Sequence, residues 1–286
     1  MNTPAMKHTF LASVIMAVAA TSLLAATTTD AVLAEVAAGE WRSADDKARD
    51  MVRKPIENLR FWGLKPGASI LEVQSGSGWW TRILAPYAVR TGGRYSVTAA
   101  DLANPSLSAA MRKGRADLAA RLADRKIYGE VNLVNWGATA APLAENRFDF
   151  ILLSRAIHGW MSVDGLVDRN FASLAGSLKP GGVLAVEQHR ANPGTQDPKA
   201  ESGYVTETFV IEAAKKAGLR LADRSEINSN LKDTKDHPFG VWTLPPTRTT
   251  VPYGSGKAPD PSFDRSKYDA IGESDRMTLR FVKISM

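Results

Sequence analysis

The 286-residue sequence contains no cysteine. That absence excludes disulfides, thiolate nucleophiles, iron–sulfur clusters, Cys-ligated zinc and a lipid-anchored Cys. A strong charge of one sign is also missing. Lysine and arginine number 36 against 30 acids, a net charge of +6, and the cations lie scattered among the acids without a long basic run. The pattern describes a solvated basic surface, so no nucleic-acid partner is expected; a mildly anionic partner, such as a membrane surface, stays compatible. Histidine is scarce, with four residues. No internal repeat is visible. Hydrophobic residues at 44% and charged residues at 23% suit a soluble globular chain and exclude a disordered or collagen-like one.

A long apolar run is lacking too. Phe10 to Ala26 is shorter than the roughly 20 residues a membrane helix needs. Lys7 precedes it, Thr27–Asp30 breaks it, and Val32-Leu33-Ala34 ends in a small-x-small pattern. Together these describe a secretory signal peptide over residues 1–34, cut after Ala34, and hence export to the periplasm or medium with no stable membrane span left. An uncleaved anchor is the alternative.

Residues 35–68 read as a helical N-terminal extension. Its second helix opens at Pro55, where a missing N–H costs nothing, and carries Ile56, Leu59 and Trp62 along one edge. From Ser69 strand and helix alternate. The expected strands are Ser69–Gln74, Arg94–Ala100, Glu130–Trp136, Phe148–Ser154, Gly182–Gln188, Leu219–Ile227 and Met277–Ile284. Helices are expected over Trp79–Val89, Ser106–Asp124, Val163–Leu178 and Thr206–Ala217. Near-continuous apolar strands alternating with helices imply an α/β fold with a doubly wound, mostly parallel sheet. Residues 69–286 would form this domain, interrupted by an irregular stretch at 228–274. That stretch holds Pro238, Pro245, Pro246, Pro252, Pro259 and Pro261, and a connection of this length is functional or disordered as a rule.

The most informative local pattern is Ile70-Leu-Glu-Val-Gln-Ser-Gly-Ser-Gly78. A strand ends, the chain turns on Gly76 and Gly78, and a helix follows. Glycines there admit a ligand close to backbone, at the strand ends where open α/β sheets bind. Thr81 occupies the third glycine position of a dinucleotide fingerprint, which disfavours nicotinamide and flavin, and no Gly-Lys-Ser/Thr of a phosphate loop follows. Glu72 with the two glycines resembles motif I of class I S-adenosylmethionine-dependent methyltransferases. A tight turn of some other α/β domain gives the same local pattern.

Further segments extend the resemblance. Gly63-Leu-Lys-Pro-Gly67, Leu71-Glu-Val, Gly76-Ser-Gly-Trp79 and Ile83-Leu-Ala-Pro-Tyr87 are similar to a bacterial family of predicted methyltransferases of that superfamily. So are Phe148–Arg155 with His158 and Trp160, Leu178–Val183, Glu187-Gln-His-Arg190 with Pro193-Gly-Thr195, and Asp275–Phe281. The set runs in order over residues 45 to 286. The resemblance implies a Rossmann-like, seven-stranded sheet with an antiparallel last strand, S-adenosyl-L-methionine as cofactor, and methyl transfer to a small-molecule acceptor it does not identify. The sequence also departs from the pattern. Gln74 replaces a first glycine, strand two ends without an acid at Thr98 or Ala99, no acid stands near Gly137, and Gly203-Tyr204 replace a His-Arg pair. Those departures favour the alternative of an exported, non-catalytic binding protein on the same fold.

The resemblance assigns roles residue by residue. Glu72 would hold the cationic amino-acid end of the cofactor, Gly76 and Gly78 would pack against it, and Asp101 would accept from the ribose hydroxyls. Trp79, or Trp80 beside it, would stack on the substrate or face the sulfonium, although such residues are often core. His158 after strand four and His189 after strand five would reach one pocket, as base or orienting groups. Arg155 would anchor an anionic substrate; Arg155 and Arg190 would otherwise pair with Glu187 or Asp149. His158, His189 and Glu187 could be offered as metal ligands, but no spacing fixes such a set across distant strands, so no metal is assigned. Nothing in the sequence specifies an oligomeric state.

Overall fold

The computed structural model describes residues 30–284. The expected signal segment therefore lies outside the described residues except for its last five. Those five belong to a helix, α1, over residues 30–38. Its Leu33 and Val36 are buried against Leu59 and Trp62. A cut after Ala34 would fall inside this helix and take Leu33 out of the core. A chain beginning at Glu35 is accordingly expected to be less stable than one beginning at Asp30 by about 1.5–3 kcal/mol, the worth of one buried leucine. Urea denaturation of the two chains measures the difference, and equal midpoints would contradict it.

The remaining extension folds as α2 (Ala44–Ala48), α3 (Asp50–Arg53) and α4 (Pro55–Trp62). Ser43 caps α2 by accepting from the Asp46 N–H, the usual remedy for an orphaned first-turn donor. Seven strands follow: β1 (Ser69–Val73), β2 (Arg94–Ala100), β3 (Val131–Trp136), β4 (Phe148–Ser154), β5 (Leu178–His189), β6 (Leu219–Ser225) and β7 (Arg276–Lys283). Between them run α5 (Thr81–Thr91), α6 (Ala109–Arg121), α7 (Arg125–Tyr128), α8 (Ile157–Trp160), α9 (Leu166–Ser177), α10 (Glu207–Lys216) and α11 (Ser266–Ile271). The helix expected from Ser106 to Asp124 starts later, because Ser108 is its N-cap and accepts from the Met111 N–H. The helix expected from Trp79 starts at Thr81, since the glycine turn extends through Trp80.

The strand order is β3-β2-β1-β4-β5-β7-β6, with β7 antiparallel to both neighbours and the other pairs parallel. The switch point between β1 and β4 is where crossovers diverge to opposite faces, and it opens a crevice at the strands' carboxyl ends. Each central strand is apolar on both faces, as a doubly covered sheet requires. Leu71, Ile151, Leu153, Leu184, Val186 and Leu279 face one core cluster with Phe171, Leu174 and Val210. Ile70, Phe150, Leu152 and Ala185 face the other, which holds Trp62, Trp79, Trp80 and Ile83. Among the described residues, no helix is long and apolar enough to cross a membrane.

The 228–274 stretch holds one 3₁₀ turn, Gly240–Thr243, and α11, and it folds back over the carboxyl edge of the sheet.

Candidate functional site

A cavity of about 320 Å³ sits at the switch point. Its floor is the β1 end and glycine turn, Glu72 to Ser77. One wall is Ser154, Arg155, His158 and His189, another is Trp79 and Trp80, and the roof is Val241, Trp242, Pro245, Pro246, Thr247 and Tyr253 from the proline-rich stretch. Trp242 stacks on Tyr253, with centroids 4.8 Å apart and planes 4° from parallel. Of the residues singled out in the sequence, Glu72, Gly76, Trp79, Arg155, His158 and His189 therefore line one cavity. Gly78 and Asp101 do not. Gly78 shapes the turn at φ +79, and Asp101 lies just past β2, where its Oδ1 accepts from the Ala103 N–H.

The turn is built on left-handed residues. Gly76 has φ +54, and a Cβ there would meet nothing within 4 Å, so the side of the turn facing open space is bare backbone. Gln74 also has a positive φ, +52, at the position where a glycine is common. A non-glycine residue in that region is strained by roughly 1–2 kcal/mol. Its contacts hold it there: the Gln74 N–H donates to Thr98 Oγ1 at 2.8 Å, and its Oε1 accepts from Trp160 Nε1 at 2.6 Å. The turn thus keeps a glycine-like backbone without the glycine.

Glu72 lies at the floor of the cavity, with one carboxylate oxygen tied to neighbouring hydroxyls. Its Oε2 accepts from Thr81 Oγ1 at 2.8 Å and Tyr95 Oη at 2.5 Å. Burial outweighs those hydrogen bonds and pushes its carboxyl up to about 7. The two tryptophans are buried as well. The guanidinium groups of Arg42 and Arg53 lie over the Trp79 ring, at 5.5 and 4.9 Å from its centroid, and Trp79 Nε1 donates to Asp46 O. The N-terminal extension therefore braces this wall.

Arg155 follows β4 with φ +53, and its N–H donates to Glu187 O at 2.7 Å. Among the described residues, its one side-chain hydrogen bond is from Nε to Ser154 Oγ at 3.4 Å. Arg155 forms no ion pair among the described residues. Burial, reinforced by Arg53 and Arg276, lowers its pKa to about 10, so it stays charged at neutral pH. Arg190 is different: it pairs with Glu226 at 2.6 Å and Asp275 at 2.9 Å, away from the cavity, while Asp149 pairs with Lys179.

Glu187, weighed in the sequence as a partner of Arg155 or Arg190 and as a metal ligand, is a hub whose ion pair is with Arg276 instead. Its Oε1 accepts from Arg276 at 2.6 Å, and its Oε2 accepts from Ser154 at 2.6 Å and Trp80 at 3.3 Å. Burial opposes ionisation, yet Arg276 and Arg155 hold the carboxyl at about 2. Arg276 also meets Glu273 at 3.3 Å, which pairs with Arg53 at 2.9 Å. This buried chain ties the extension, β5 and β7 together beneath the cavity.

The histidine rings lie 5.7 Å apart, centroid to centroid. His158 is held by Gln188, a residue to which sequence reading assigned no role. Gln188 Oε1 accepts from the Ile157 N–H at 3.2 Å. A backbone N–H can only donate, so the amide oxygen faces it and the NH₂ faces His158 Nδ1, 3.1 Å away. Nδ1 is therefore an acceptor, and the neutral ring carries its proton on Nε2. Burial, helped by the Arg155 charge, pushes His158 down to about 4. His189 Nδ1 lies 2.6 Å from Ser274 Oγ, and burial, with His158 and Arg155 nearby, holds it well below the usual imidazole range. Both rings are neutral at pH 7 and act as hydrogen-bonding groups, not proton acceptors poised near neutrality.

Residues 71–186 match the family model described as a methyltransferase domain. The sequence is 31% identical over 124 residues to the ubiquinone/menaquinone biosynthesis C-methyltransferase of Shewanella piezotolerans, covering 43% of each chain. The corresponding protein of Shewanella pealeana is 32% identical over the same length and share. The chain thus matches less than half the length of these curated relatives. A putative sarcosine dimethylglycine methyltransferase from Galdieria sulphuraria shares the fold at 14% identity and a TM-score of 0.51, over 85% of this chain and 88% of that one.

Proposed function

We propose that this chain, whose residues 71–186 match the model of a methyltransferase domain, uses S-adenosyl-L-methionine to methylate a small-molecule acceptor in the cavity at the β1–β4 switch point. The observation that carries the reading is the bare-backbone turn at Gly76 on the floor of a 320 Å³ cavity. A ligand is able to lie against that turn only because no side chain occupies it. Gly76 and Ser75 would cradle the amino-acid half of the cofactor, and Glu72 would face its ammonium group. Asp101, past the end of the neighbouring strand, is the carboxylate available to ribose hydroxyls. Bound there, the cofactor supplies a methyl carbon activated by a sulfonium.

The chain's own contribution is position. Methyl transfer needs donor and acceptor held in line, and much of its barrier is lowered by orientation alone. His158 offers an Nε2–H whose direction Gln188 sets. Trp242, Pro245 and Pro246 cover part of the cavity. Export, read from residues 1–34, belongs to the proposal as well, and the acceptor is then one met outside the cytoplasm.

Calorimetric titration of the purified protein with S-adenosylhomocysteine tests the reading. Saturable binding is expected, and none at millimolar ligand would reject it. Gly76→Val places a side chain in the cradle and is expected to weaken binding about tenfold or more, or by at least 1.4 kcal/mol. The φ of +54 adds a stability cost of about 1–2 kcal/mol, visible separately in thermal unfolding. Unchanged affinity in a folded Gly76→Val protein would reject this cradle.

A further inference from the structure

We propose that the cavity takes its acceptor as an oxyanion: a compact, flat acid, carboxylate or phenolate, whose charged oxygen is held by the Arg155 guanidinium and the Nε2–H of His158, under Trp242 and Tyr253. The proposal deepens the methyltransferase reading and rests on it for the word acceptor.

The first support is the state of Arg155. The other large buried cations near the site have carboxylate partners: Arg276 has Glu187, Arg53 has Glu273, and Arg42 has Asp50. Arg155 lines the cavity with only Ser154 Oγ at 3.4 Å on its side chain. Glu187 is near, but its oxygens are already taken by Arg276, Ser154 and Trp80. A partly buried guanidinium left with unused donors in a cavity wall is a fork shaped for a carboxylate or phenolate oxygen.

The second support is that His158 donates into the cavity wall. The Gln188 amide forces the His158 proton onto Nε2. Glu72 Oε2 is already engaged by Thr81 and Tyr95. His158 is not placed to take a proton from a neutral acceptor, because the Gln188 amide occupies its Nδ1, whereas an acceptor bound as its anion has already lost that proton. The third support is the roof. The parallel Trp242–Tyr253 pair with Pro245 and Pro246 presents flat apolar surface, which favours a planar body over a branched or strongly hydrated one.

One other oxyanion fits the same chemistry, the carboxylate on the cofactor's own amino-acid end. A calorimetric comparison separates the two, using salicylate as the acid, salicylamide as its uncharged counterpart and S-adenosylhomocysteine as the cofactor probe. Wild-type protein is expected to bind salicylate about tenfold or more tightly than salicylamide. Arg155→Gln is expected to lose about that factor for salicylate and to keep its S-adenosylhomocysteine affinity within about twofold. Arg155→Lys keeps the charge and is expected to regain part of the salicylate affinity. If Arg155→Gln instead loses S-adenosylhomocysteine, the arginine serves the cofactor and the proposal is overturned. Equal binding of salicylate and salicylamide overturns it too. If Arg155→Gln does not fold, the wild-type preference between acid and amide decides by itself. Failure of the wild type to bind S-adenosylhomocysteine would reject the methyltransferase reading instead, which is a separate outcome.

Discussion

Replacing Glu187 with alanine is expected to lower the free energy of unfolding by about 3–5 kcal/mol, the usual cost of removing one partner from a buried ion pair. The loss exceeds that of a surface pair because three donors are stranded at once. Arg276, 1% exposed, loses its 2.6 Å partner, and Ser154 and Trp80 lose their acceptor. Arg155, Arg53 and Arg276 would then face one another with Glu273 as the remaining acid nearby. Urea denaturation at pH 7 measures the effect, and a change under about 1 kcal/mol, the range of an exposed pair, would contradict it. The pH dependence has a definite sign. Glu187 is held at about 2, below its ordinary 4.5, so its stabilisation is present above pH 4.5 and is lost as pH falls toward 2. His158, held at about 4 instead of 6.5, also makes the fold less stable as pH falls, but between 6.5 and 4. Glu187→Gln should flatten the lower window and leave the upper one.

Glu72→Gln is expected to act in the opposite direction. The Glu72 carboxyl is raised to about 7 from 4.5, so the folded protein holds a proton there that the unfolded chain has released. The Glu72 contribution to wild-type stability therefore falls as pH rises from 4.5 to 7, opposite in sign to that of His158. A glutamine pays no such cost, and its carbonyl accepts from Tyr95 and Thr81 as Glu72 Oε2 does. The variant should match wild type at pH 4.5 and exceed it at pH 8 by on the order of 3 kcal/mol. Thermal midpoints at the two pH values check this, and equal midpoints at pH 8 would refute it. Affinity should move the other way. If the glutamate faces the ammonium of the cofactor, wild-type affinity for S-adenosylhomocysteine rises with pH through about 7, whereas in Glu72→Gln it is lower and flat over that range.

Several features were legible in the residues. The strand Phe148–Ser154 carries apolar residues on both faces, a pattern expected when helices cover a sheet twice. Strand positions held to within a few residues because burial and turn chemistry are local. Gly76 stood out because few residues tolerate its backbone, and His158 and His189 because imidazoles are rare in this chain. The partners of those residues were not legible. Glu187 meets Arg276 across 89 positions, and Arg53 meets Glu273 across 220; no window of sequence connects them.

Sequence by itself determined the sheet, its glycine turn and the chemical types gathered at the carboxyl edge, since these follow from periodicity and from what single residues can do. Tertiary structure decided how those types behave. It set the His158 proton on Nε2 through Gln188, tied Glu72 Oε2 to Tyr95, left Arg155 without an ion pair among the described residues, kept Gly78 and Asp101 off the cavity wall, and brought Trp242 and Tyr253 over it from a stretch with no periodic pattern. Each of these depends on which distant groups share a low-dielectric interior, where one hydrogen bond or one unpaired charge outweighs any local preference.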